Sequence, residues 1–302
     1  MGLSELGVHE KITLEAFSKA YGKFSWTEFM APNSKKKPIV QYVQEGLTKG
    51  VRSIDQPEGM GTFLMVFMNK EKYTGTKEGD IGYETYQTHF GINQHLHFMA
   101  SGGITPQALK EKVIDDIIDF RTQAIKALKK YNEGAKFNND GSMMFGSDPK
   151  ELQNAFMYIG KIMHVIQDSF AEGHVLRNDK NEIYMIQDYT KQYHGGIVEQ
   201  LPHIGSNLHA QMDLLIPEMS IEMSRILFSK LDNEAQFKKW LNDDVFKFAT
   251  GVEVKVPQIY NEALERKRDK AARALQDIFK PETYFNGNFY MPPIGLEFMM
   301  GK

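Results

Sequence analysis

Residues 148–174, DPKELQNAFMYIGKIMHVIQDSFAEGH, decide the fold. Asp148, Pro149 and Glu151 form a helix start: an oxygen-bearing cap, a ring whose φ is already helical, and an acid in the first turn. Leu152, Phe156, Ile159, Met163 and Ile166 then recur every three or four residues, the period of an amphipathic helix. The spacing predicts one helix from Pro149 to about Phe170. His164 and Asp168 stand four apart on it, so they project from one face with Cβ atoms about 5–6 Å apart. That separation suits two ligands of one divalent ion. His174 follows just past Gly173, where the chain can turn back over the helix end. The neighbours Met163, Val165, Ile166 and Phe170 are apolar, and a bound cation would offset the cost of burying a carboxylate among them.

Outward from this segment the pattern stays helical. Helices are expected at 10–21, 106–131, 207–231 (interrupted at Pro217), 234–250 and 256–280. Pro, Gly and a lysine run punctuate 31–61, which reads as mostly loop with a helix at 38–48. Residues 171–204 read as irregular or hairpin-like. The fold class is therefore all-α: one domain over 1–302, with a core at about 7–230 and a helical extension at about 231–302.

Composition narrows the function classes. The 302 residues are 41% hydrophobic and 25% charged, within the globular range, and the net charge is −3. A general basic field for nucleic acid is absent. There is no cysteine, which removes disulfides, thiolate metal sites and cysteine nucleophiles. The most apolar run, Thr62 to Met68, is far short of the roughly 20 residues that cross a bilayer. The first residues lack the basic and apolar regions of a signal peptide.

All nine histidines lie at or before His209. Besides the central group there are His209 and Asp213, again four apart; His89, His95 and His97, preceded by Glu78 and Asp80; and His9. Oxygen and nitrogen donors without sulfur fit zinc or another divalent ion.

At this point the sequence resembles a family. IGKIMHVIQDSFAEGH (159–174) is similar to the His-x3-Asp-x5-His signature of the zinc-dependent phospholipase C superfamily, which includes zinc-dependent single-strand nucleases. YETYQTHF (83–90) and GVHEKITLEAF (7–17) resemble two further stretches of it. The resemblance covers roughly residues 7–215. It implies an all-α domain of the phospholipase C type holding two or three zinc ions in a cleft. Asp80, His89, His164 and Asp168 would bind the first zinc, with Asp168 bridging to a neighbour. His174, His209 and Asp213 would bind the second; His194 with Glu199 competes for the same role, and Glu78 for that of Asp80. The third would take His9, Asp168 and an amino terminus that family members supply as Trp. Here the chain begins Met1-Gly2, and its tryptophans are Trp26 and Trp240.

The implied activity is hydrolysis of a phosphodiester by a metal-activated water, with Asp80 orienting the water or taking its proton. Arg177, Tyr86 and Gln167 are candidates to contact the ligands or the phosphate. Phospholipid is the expected substrate, met at a membrane surface; single-stranded nucleic acid is the alternative, and a non-enzymatic, metal-stabilised binding or toxin-like protein the third reading. By the same resemblance the protein is expected to be secreted or delivered out of the cell.

Overall fold

The computed structural model describes residues 8–21, 39–100, 103–134, 136–137, 143–144, 149–171, 174–186 and 217–256. Among them are eight α-helices and two small antiparallel strand pairs, so the described residues are mostly helical. The helices are α1 (Val8–Tyr21), α2 (Ile39–Asp55), α3 (Met60–Met68), α4 (Tyr83–His89), α5 (Pro106–Gly134), α6 (Pro149–Asp168), α7 (Pro217–Leu227) and α8 (Glu234–Trp240). No described helix is long and apolar enough to cross a membrane.

The deciding segment is the central element. Helix α6 packs against α2 on one side and α5 on the other, while α1 lies across α2 and α7. Leu152, Phe156, Ile159, Met163 and Ile166 are all buried, so the apolar stripe faces the core. Near-complete burial of a Leu or Phe is worth roughly 1.5–3 kcal/mol each, and that drives the bundle together. Phe17 of α1 meets Phe156 of α6 and Phe228 just past α7 edge-on, with centroids 6.2 and 5.6 Å away.

The structure differs from the sequence reading at α2. Residues 31–61 were expected to be mostly loop, with a helix at 38–48; instead α2 continues to Asp55. Its two glycines are contact points, not breakers. A Cβ placed on Gly50 would lie 1.9 Å from the Met157 carbonyl oxygen, and one on Gly46 2.5 Å from that of Gln153. Opposite them, a Cβ on Gly160 would lie 2.3 Å from the Leu47 carbonyl oxygen. The backbones of α2 and α6 therefore touch, and the end of α2 is drawn beside His164 and Asp168. Helix α7 begins at Pro217, where the ring suits the first turn; the rest of the expected helix before it, at 207–216, lies outside the described residues.

One strand pair, β1 (Lys136–Phe137) with β2 (Met143–Met144), precedes α6; beyond α6 the described residues form a hairpin, β3 (Val175–Arg177) pairing antiparallel with β4 (Ile183–Ile186). Helix α8 and the wider π turn Leu241–Val245 follow. Phe237, Trp240, Leu241, Val245 and Phe246 join the same hydrophobic cluster as α1, α2, α5 and α6. The expected helix at 256–280 falls outside the described residues.

Candidate metal centre

Five segments bring their titratable side chains to one point beside the last turn of α6. His9 comes from the first turn of α1, Asp55 from the end of α2, His89 from the end of α4, and His97 from the 3-10 turn Gln94–His97. His164 and Asp168 come from α6 as the four-residue spacing predicts. Asp55 alone in this set has an appreciably exposed side chain, at 13%; the others are buried.

Local devices hold each donor in place. Glu58 accepts hydrogen bonds from Gly82 N (2.6 Å), Thr85 N (3.0 Å) and Thr85 Oγ1 (2.8 Å), so a carboxylate anchors the start of α4. At its other end His89 Nδ1 lies 2.9 Å from the Thr85 carbonyl oxygen, which can only accept; the proton is on Nδ1 and Nε2 keeps its lone pair. His174 is treated alike, with Nδ1 2.8 Å from the His97 carbonyl oxygen. The 3-10 turn is pinned by His95, whose Nε2 lies 2.5 Å from Asp116 Oδ2. It ends at Phe98, which holds a left-handed φ of 51° and stacks on Phe246 at 4.6 Å.

Asp168 is the hub. Its Oδ2 lies 2.8 Å from His97 Nδ1, 3.0 Å from His164 Nε2 and 3.6 Å from His174 Nδ1, and its Oδ1 3.2 Å from His9 Nε2. His164 Nε2 is 3.2 Å from His97 Nδ1 and 3.6 Å from Asp55 Oδ1. Donor atoms bound to one zinc at about 2.0–2.1 Å in a tetrahedron are about 3.3 Å apart, so these spacings match a single coordination shell. Among the described residues three overlapping groups bring their donor atoms within 4.8 Å of one another: His9, Asp55 and His164; Asp55, His89 and His97; His97, His164 and Asp168. The groups share Asp55, His97 and His164, so they describe one continuous cluster of donors, in which only a carboxylate, Asp55 or Asp168, has the two oxygens that could serve neighbouring cation positions.

Protonation fits a cation as well. Burial pushes His97 down to about 4, against the pull of Asp168, so its imidazole is neutral at neutral pH, the form that ligates. Burial alone would raise Asp168, but His164, His174 and His9 hold it well below the usual carboxylate range. His9 Nε2 and Asp168 Oδ1 are both buried without a hydrogen-bond partner among the described residues, though 3.2 Å apart. Polar atoms left so are costly, and a cation between them removes the cost.

Of the residues singled out in the sequence, His9, His89, His164 and Asp168 meet here, with His174 at the edge. Asp80 does not. It is exposed, and its Oδ2 accepts from the backbone N of Lys77 at 2.8 Å; Glu78 is likewise exposed. The carboxylate beside His89 and His164 is Asp55, and His97 joins as a further donor; the sequence reading assigned neither. His209, Asp213, His194 and Glu199 lie outside the described residues. Arg177 is not placed for phosphate: it stacks on Phe170 and donates to the carbonyls of Ser169, Asn181 and Val245. Tyr86 stands half-buried on α4 with its ring 5.8 Å from Phe90. Gln167 does contact one of the candidate donors, His9.

A comparison of the chain with protein-family models, curated proteins and solved structures finds no match.

These donors tie α1, α2, α4 and α6 together, so metal is expected to stabilise the fold. A divalent ion such as zinc that bound only the folded chain would add roughly 2.7 kcal/mol at about 100 times its Kd. A melting curve that does not shift between chelator and zinc would show that the cluster is held by protons alone.

Proposed function

We propose that the protein is a zinc-dependent phosphodiester hydrolase of the phospholipase C type, acting on phospholipid head groups. The observation that carries this reading is the set of three overlapping His/Asp groups converging on Asp168 and Asp55. Contiguous cation positions suit a substrate whose reacting centre is an anionic diester. When bound, the ions polarise the phosphoryl group and lower the pKa of water at the site.

The chain's own residues have distinct parts. His9, Asp55, His89, His97, His164 and Asp168 would hold the ions. Asp55, at the solvent edge, would also orient water and accept its proton, the part the sequence reading gave to Asp80. A lipid substrate is favoured by the acidic charge balance and by the exposed apolar side chains Met65, Ile81 and Ile92 on and around α3 and α4. Phe63 of α3 reaches His89 edge-on at 5.4 Å, so this apolar surface borders the centre.

The near-complete burial of the donors favours one rival, a metal that knits the fold without turnover. The zinc-loaded chain, given phosphatidylcholine vesicles and single-stranded DNA in parallel, is expected to release phosphorylated head group and to lose this activity in chelator. Asp55→Asn should lower turnover at least about 100-fold, as for a group acting on the reacting proton, while Asp80→Asn stays at the wild-type level. Nucleotide release instead would transfer the reading to a single-strand nuclease. No product from either substrate, with zinc bound, would leave the structural metal.

A further inference from the structure

Gln167 immediately precedes Asp168 on α6 and is fully buried. Its Nε2 donates to Thr13 Oγ1 of α1 at 2.8 Å and to Ser224 Oγ of α7 at 3.3 Å. Its Oε1 lies 2.8 Å from His9 Nδ1. An amide carries its donors on one side and its acceptor on the other. With the donors facing the two hydroxyls, the oxygen faces His9, and only a protonated Nδ1 completes that contact. The neutral ring then has its lone pair on Nε2, the atom 3.2 Å from Asp168 Oδ1.

The reversed amide would place a proton on Nε2 instead. That tautomer cannot ligate through Nε2. It also makes no hydrogen bond to Asp168, since Nε2 and Oδ1 stand 3.2 Å apart without forming one. A contact between a ring Nδ1–H and a fixed side-chain oxygen is the usual device that orients a ligating histidine.

We propose that Gln167 is a positioning residue that sets the tautomer of His9 and so admits it to the metal centre as an Nε2 ligand. Thr13 and Ser224 set the amide itself. Through them α7, which the three donor groups do not include, becomes part of the framework of the site. The inference rests on reading the cluster as a metal centre, but its first readout needs no metal.

Long-range proton–nitrogen NMR on the metal-free full chain is expected to show His9 as the Nδ1–H tautomer, and Gln167→Leu should shift it towards Nε2–H. Competition with a chromogenic chelator should show zinc held roughly 10–100-fold more weakly by Gln167→Leu, the range for loss of a ligand's outer hydrogen bond. Gln167→Glu keeps an acceptor facing Nδ1 and should hold zinc within about threefold of wild type or tighter. That rescue separates positioning from mere packing. The double variant Thr13→Val, Ser224→Ala keeps the amide but frees it to turn, and should show a mixed His9 tautomer. An Nε2–H tautomer in the wild-type chain, or wild-type zinc affinity in Gln167→Leu, overturns the proposal. A wild-type chain that takes up no zinc overturns the metal reading beneath it.

Discussion

Asp168→Asn is expected to leave a folded chain that does not take up the zinc proposed for this cluster. The substitution keeps size and shape but removes the one charge that faces four imidazoles, from His9, His97, His164 and His174. It also turns one oxygen into an NH2 group that must point at ring nitrogens meant to share a cation. Changes behind a metal ligand cost about 10–100-fold in affinity, and loss of a charged donor that contacts so many others should exceed that range. Metal analysis after gel filtration should show the deficit, and the zinc-dependent rise in Tm should vanish with it. Wild-type zinc content in this variant would sink the assignment of Asp168 as the hub.

Gly50→Ala should destabilise the whole bundle and weaken the metal centre together. The added methyl meets the Met157 carbonyl oxygen at 1.9 Å, a backbone atom that cannot swing aside. Helices α2 and α6 must part, and forcing a close-packed interior open costs about 1–3 kcal/mol or more. Asp55 sits at the end of α2, so the same displacement carries it away from His164, now 3.6 Å distant. Gly61→Ala is the control: nothing lies within 4 Å of its new methyl, and alanine suits a helix better by up to about 1 kcal/mol. Thermal melts and zinc titrations of the two variants test this. Equal stability in both would mean that the backbones do not touch.

These two positions also show what the sequence made legible. The helix carrying His164 and Asp168 announces itself because cap, stripe and i,i+4 pair all lie within one segment. Asp55 does not, because its place depends on α2 reaching it, and the expected helix stops at 48, just before Gly50. Only the facing Gly160 on another helix explains that glycine. Asp80 attracted the acidic role by standing nine positions before His89, but the chain from Gly79 to Gly82 turns it outward onto the Lys77 backbone. His97 stands out in the sequence as one of the cluster His89, His95 and His97, but the resemblance gives it no ligand role. Its contact with Asp168 spans 71 residues, and no spacing along the chain marks it.

The placement of α1 has a consequence for how the protein is made. Ile12, Ala16 and Phe17 are buried, and α1 packs chiefly on α7 and α2. Helix α7 begins at Pro217, about 200 residues after α1 leaves the ribosome; at roughly 5–20 residues per second that interval lasts about 10–40 s. Throughout it the first helix presents an apolar face whose main cover has not been synthesised, and His9 has no Gln167 to face. Exposure to wrong associations thus lasts longest at α1, and a holding chaperone has its longest window to act there.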